Sequence, residues 1–205
     1  MQLKLHGNMN FLAHAYLSFE DPAWITGNLV SDFIKGKRKF DYPVDIQQGI
    51  SLHRAIDTYT DAHPLHKEAR DIFRPAYRLY SGAFIDVTFD HFLATDTDCF
   101  PREEDLFSFS QYTYKSVEQY YSILPSQFQQ AFQSMRLHNW LYNYRHRDGI
   151  ARSFQGLVYR SGYLEESATA VRIFEEHYES LKAIYQPFFA DLQAHIKPFR
   201  NNTIL

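Results

Sequence analysis

Apolar residues in this chain recur at three- and four-residue intervals over most of its length, and that period excludes most fold classes before any side-chain chemistry is considered. Ile46, Ile50 and Ile56 share one face of a segment that opens after Asp41-Tyr42-Pro43 and stops at His63-Pro64. Phe128, Phe132 and Met135 stand four and three apart, and Val171, Phe174, Tyr178, Leu181, Tyr185, Phe188 and Leu192 keep to intervals of three and four throughout. No strand pattern, internal repeat or low-complexity linker interrupts it. The expected class is therefore all-α, a helical bundle with one domain over residues 9–205. Its polar chemistry is concentrated in 9–94, and 95–205 supply scaffold and cleft wall.

The punctuation predicts the helices. We expect them over residues 11–19 with Asn10 as cap, 23–34, 44–62, 65–80 with a kink at Pro75, and 83–94 after a Ser81-Gly82 turn. Further helices are expected over 101–123, 125–144, 150–159 and 167–196, the last kinked at Pro187. With 18 Phe and 15 Tyr, rings dominate the core of this 205-residue chain.

Within this frame one stretch, from Gly49 to Leu93, carries unusual polar content. His53, Asp57 and Asp61 stand four residues apart, as do Asp86 and Asp90, with His91 adjacent. In a helix such spacing stacks side chains on one face. Two helices would each present a row of imidazole and carboxylate, a combination that holds divalent cations such as Mn²⁺, Mg²⁺ or Fe²⁺. Two carboxylates one turn apart also repel, and a cation between them reverses the sign. Asp32 lies among Leu29, Val30, Phe33 and Ile34, where a buried carboxylate needs a partner and an exposed one needs none. His14 on the first helix reads either as a hydrogen-bonded core residue or as a ligand.

Cations accompany these acids. Lys35, Lys37, Arg38 and Lys39 follow Asp32 directly, as a solvated loop or as a docking strip for an acidic protein or phosphate. Arg54 flanks the row on the long helix. Arg70, Arg74 and Arg78 repeat at four, to grip phosphate or to pair with neighbouring acids. A net charge of −3 gives no overall attraction to nucleic acid or to an anionic membrane, so neither is an expected partner. The single cysteine, Cys99, excludes an internal disulfide and a cysteine-based zinc site and suits a reducing cytoplasm. No signal peptide and no span long enough to cross a membrane is expected.

Four segments together resemble a known family: MNFLAHAYLS from Met9, GNLVSDFIKG from Gly27, GISLHRAIDTYTDAHP from Gly49 and DVTFDHFLA from Asp86. In this order they look like the successive signatures of the acyl carrier protein phosphodiesterases, a divergent relative of the HD-domain phosphohydrolases. The resemblance implies an HD-like helical fold and hydrolysis of the phosphodiester joining 4′-phosphopantetheine to an acyl carrier protein serine, in the setting of fatty acid biosynthesis. It also implies Mn²⁺ or a similar divalent cation as cofactor, with Asp32, His53, Asp57, Asp86, Asp90, His91 and His14 matching the family's metal-site positions. Asp32, His53, Asp57 and Asp90 are the expected catalytic group. Arg54, Arg70 and Arg74 are expected on the phosphate, and Lys35, Lys37, Arg38 and Lys39 on the acidic carrier protein. Two rival readings are a phosphohydrolase of the same architecture acting on a nucleotide, and a non-catalytic binding protein in which these charges form structural ion pairs.

Overall fold

A computed structural model describes residues 11–201, and these residues form eleven α-helices and no strand. The first five are α1 (Phe11–Tyr16), α2 (Pro22–Val30), α3 (Val44–Ala62), α4 (Pro64–Tyr77) and α5 (Ser81–Ala94). They are followed by α6 (Glu103–Gln119), α7 (Ser126–Leu137), α8 (Trp140–Asn143), α9 (Arg147–Ser161), α10 (Ala168–Glu176) and α11 (Tyr178–Asn201).

The helix α5 is the axis of the bundle. Every residue from Phe84 to Ala94 is buried, because α1, α4, α9 and α11 all pack against it. A ring such as Phe84, with no exposed surface, contributes roughly 1.5–3 kcal/mol through burial, and it packs on Phe73, Tyr77 and Phe154. Polar residues on a helix enclosed in this way cannot all face one site.

α2 and α3 meet backbone to backbone. A Cβ built on Gly49 would fall 2.4 Å from the Trp24 carbonyl oxygen, and one on Gly27 would fall 2.2 Å from that of Ile46. Only glycine at both positions allows so close a crossing, which sets the last turn of α2 beside the middle of α3. The start of α2 is fixed by Asp21, whose Oδ1 accepts from Ala23 N (2.9 Å) and Trp24 N (3.0 Å), with Pro22 at the first helical position.

Helix α3 has the expected bounds, and elsewhere turns shorten or divide the expected helices. α1 stops at Tyr16 because Phe19 and Glu20 take positive φ (56° and 59°) to feed the Asp21 cap. Its expected cap, Asn10, lies outside the described residues. α2 gives way at Ser31–Phe33 to a 3₁₀ turn that carries Asp32. α4 runs through Pro75, whose exposed position leaves the freed carbonyl of the preceding turn to water. Ser81-Gly82 is the first turn of α5 rather than a loop. The segment expected over 125–144 is split where Asn139 takes a left-handed conformation (φ 47°). That expected over 167–196 breaks at His177, while Pro187 lies inside α11.

Candidate metal centre

Four of the side chains singled out in the sequence converge where α1, the end of α2 and α3 meet. His14 comes from α1, Asp32 from the 3₁₀ turn after α2, and His53 and Asp57 from successive turns of α3. His53 Nε2 lies 3.2 Å from Asp32 Oδ1 and 3.1 Å from Asp57 Oδ2. The His14 ring stacks on His53 with centroids 4.2 Å apart, and its Nε2 is 3.3 Å from Asp57 Oδ1. One ligand atom from each of His14, His53 and Asp57 can be chosen so that all lie within 4.8 Å of one another.

Asn28, which the sequence reading passed over, orients this group. Its Nδ2 donates to the His14 carbonyl oxygen and to Ser18 Oγ, both at 3.0 Å, so its Oδ1 is the atom that meets His53 Nδ1 at 3.1 Å. A carbonyl-type oxygen only accepts, so Nδ1 carries the ring proton. In the neutral imidazole Nε2 is then a bare lone pair aimed at the carboxylates, the tautomer a metal ligand requires. The available signal was spacing, since Asn28 stands four residues before Asp32.

The donor set fits a hard divalent cation. Neighbouring ligands on an octahedral ion with bonds of about 2.1 Å stand about 3 Å apart, close to the 3.1–3.3 Å seen here. His14 Nε2 is buried and, despite its proximity to Asp57, has no aligned hydrogen bond among the described residues. Two imidazoles and carboxylates, with no cysteine, suit Mn²⁺, Fe²⁺ or Mg²⁺ by softness, without selecting among them.

Charge is balanced tightly when the imidazoles carry protons instead. Burial alone lowers the His53 pKa, but the Asp32 and Asp57 carboxylates overcome it and raise the value to about 9. Burial alone would raise Asp57, and the His14 and His53 rings outweigh it, holding its carboxyl well below the usual range. Asp32 and Asp57 keep about a quarter of their side-chain surface in solvent, 24% and 27%, so the centre opens on their side.

The acids of α5 divide. Asp86, 1% exposed, has Oδ1 3.4 Å from His66 Nε2, while Oδ2 is enclosed with no hydrogen-bond partner among the described residues. Burial pushes its pKa up, and the nearby charge of Asp57 adds to that. Asp86 therefore pairs with His66 outside the cluster of four and keeps one orphan oxygen. Asp90 is engaged elsewhere: its two oxygens accept from Leu12 N (2.9 Å) and Ala13 N (2.8 Å), capping the helix that bears His14. Burial pushes its pKa well up, against those two donors. His91 turns to the opposite side, with Nδ1 2.7 Å from the Tyr144 carbonyl and Nε2 3.0 Å from Tyr178 Oη, and burial lowers its pKa to about 4. Neither Asp90 nor His91 belongs to the cluster of four. Adjacent residues on a helix point about 100° apart, so Asp90 and His91 meet different neighbours.

The cations are also sorted. Lys35, Lys37 and Arg38 are exposed and Lys39 is half-buried against Phe40; Lys35 precedes, and the other three lie on, a 3₁₀ stretch (Gly36–Asp41) that starts four residues after Asp32. Arg54 is exposed, next in sequence to His53. Arg70 is half-buried, with its stem 3.9 Å from where a Cβ of Gly82 would lie. Arg74 is exposed and paired with Asp71 at 3.1 Å. A groove of about 590 Å³ beside Tyr16 and Cys99 includes none of the four clustered residues. Burial pushes the Cys99 thiol up to about 11, so it holds its proton at neutral pH.

Comparison with known proteins agrees with the sequence signatures. A model of the family described as acyl carrier protein phosphodiesterase matches residues 9–192. A protein of Yersinia pestis with that name is 34% identical over 181 residues, covering 88% of this chain and 94% of the relative. Another of the same name, from Enterobacter sp. (strain 638), is 32% identical over 189 residues, covering 92% and 98%. No solved structure matches.

Proposed function

Because the chain belongs to the acyl carrier protein phosphodiesterase family, we propose that it is a divalent-metal-dependent hydrolase that removes 4′-phosphopantetheine from holo-acyl carrier protein, leaving the apo protein. The observation that carries the reading is the convergence of His14, His53, Asp57 and Asp32 around a His53 ring held in a ligand tautomer by Asn28.

In this reading His14, His53 and Asp57 hold the ion and Asp32 completes the set. A bound divalent ion would supply the Lewis acidity that lowers the pKa of water toward neutrality and offsets charge on the phosphoryl oxygens. The remaining work falls to the protein. Asp32, about a quarter exposed at the open side, can accept a hydrogen bond from an incoming water and orient it toward phosphorus. Asn28 keeps the His53 lone pair directed inward. Asp90 acts as a positioning residue, because it anchors the α1 turn from which His14 projects.

The substrate is itself an acidic protein, and the Lys35, Lys37, Arg38 and Lys39 strip follows Asp32 within a few residues. Exposed Phe40 and Val44, 62% and 67% accessible, add apolar surface beside that strip. A carrier bound there would bring its prosthetic arm toward the open side of the centre, with Arg54 as the nearest cation in sequence to His53. Mn²⁺ is the proposed ion, and a cytoplasmic location belongs to the same proposal. No described helix is long and apolar enough to cross a membrane.

The test is a mass-spectrometric assay on holo-carrier protein with Mn²⁺, Mg²⁺ or Fe²⁺, alongside a nucleotide panel. The carrier should lose the mass of its prosthetic group, and His53→Gln and Asp57→Asn should abolish the loss. Turnover of nucleotides with the carrier left intact, or cleavage unaffected by both substitutions and by chelation, overturns the proposal.

A further inference from the structure

On α9, Arg152, Gly156 and Arg160 follow one another at four-residue spacing, and the proposed reaction uses none of them. They form one wall of a cavity of about 180 Å³, with Val87 of α5 and Trp140 and Tyr144 from the segment around α8 on the others. None of its lining residues is acidic. Elsewhere the fold supplies acids to arginines that need them less: Arg74, Arg102, Arg136, Arg145, Arg147 and Arg172 all pair with carboxylates.

Arg160 is the exception that matters. Its Nε is enclosed and has no hydrogen-bond partner among the described residues, and no carboxylate there pairs with it. Burial pulls its pKa below the usual arginine range, opposed by the Tyr144 phenol. The guanidinium lies over Gly156, where an added Cβ would be 3.1 Å from Nη1 and 3.5 Å from Nη2, so the missing side chain makes room for it. Arg160 is half-buried, and a guanidinium whose Nε is shut off from water without a counter-charge is costly unless something supplies one. Five donors in a planar fork match the oxygens of a phosphate or carboxylate.

The geometry points to a binding site for a small oxyanion, a phosphate or carboxylate group, held by the Arg160 fork with exposed Arg152 at the mouth. The site is distinct from the metal centre, since none of His14, Asp32, His53 and Asp57 lines this cavity, and Asp86, the neighbour of Val87 on α5, turns to His66.

Calorimetric titration of the full chain in chelator, with inorganic phosphate, glycerol phosphate and acetate in separate arms, tests this and identifies which oxyanion is preferred. At least one anion should bind saturably, with Kd raised about tenfold or more by Arg160→Met, raised by Arg152→Glu, and unchanged by Asp57→Asn. Arg152→Glu changes an exposed residue, so it reads the site even if Arg160→Met fails to fold. The inference is overturned if no anion binds, if Kd is unmoved in the folded arginine variants, or if Asp57→Asn abolishes binding.

Discussion

Stripping the metal should make the fold pH-sensitive in a specific direction, and the size of the effect follows from His53. The ring is buried between Asp32 and Asp57, which raise its pKa from 6.5 to about 9 in the folded protein. A group with a raised folded pKa contributes stability that is complete below its unfolded value and is lost as pH climbs through the folded one. The window therefore runs from about pH 6.5 to about pH 9. At about 1.4 kcal/mol per pKa unit, the loss across it is about 3 kcal/mol. Asp57, whose pKa is depressed by the same contacts, shares this interaction and is not counted again; its own signature is a loss of stability at acid pH. Urea denaturation in chelator, at intervals from about pH 6 to 9.5, would measure it as the difference between wild type and His53→Gln. Wild type should lose about 3 kcal/mol more than the variant over the window, and with saturating metal that loss should disappear, because the cation takes the place of the same proton. Equal pH slopes in the two proteins, or stability of the metal-free wild type that rises through the window relative to the variant, would refute the charge arrangement.

Other perturbations address other parts of the centre. Asn28→Ala removes the acceptor that fixes the His53 tautomer and should weaken metal affinity by about 10–100-fold, read by metal titration; unchanged affinity would leave Asn28 a packing residue. Asp90→Asn leaves a buried backbone donor of α1 short of its acceptor and should cost about 1–3 kcal/mol in urea denaturation, with lower metal occupancy; full stability and occupancy would remove Asp90 from the positioning role. Gly49→Ala forces apart two main chains that stand closer than a methyl group allows, so it should cost about 1–3 kcal/mol and depress carrier cleavage more than it lowers helical content. Reversing Lys35, Lys37 and Arg38 to Glu should lower kcat/KM for the carrier most at low salt, and an equal loss at high salt would count against electrostatic docking.

Parts of this arrangement were legible before the structure, for reasons that can be named. Pro43 and His63-Pro64 bracket α3, so its bounds and the shared face of His53 and Asp57 followed from local rules alone. His14 and Asp32 stood out as polar residues in apolar company, but their meeting with α3 is tertiary and leaves no trace in spacing. α5 misled for a physical reason: a helix buried on all sides presents polar groups in several directions, so Asp86, Asp90 and His91 look like one row and serve three neighbours. The breaks at Asn139 and His177 were hidden because neither is a proline or glycine, while Pro75 and Pro187 fall inside helices on exposed positions where water takes the unpaired carbonyl.

The crossing of α2 over α3 has a consequence for how the protein tolerates change. Contacts between side chains relax by switching rotamer, so drift in the aromatic core is absorbed near where it arises. The span from Asn28 to His53 is set instead by peptide units pressed together at Gly27 and Gly49, which have no rotamers to switch. Variant libraries should therefore show free exchange among many interior rings alongside near-total intolerance at two residues that touch neither cation nor substrate.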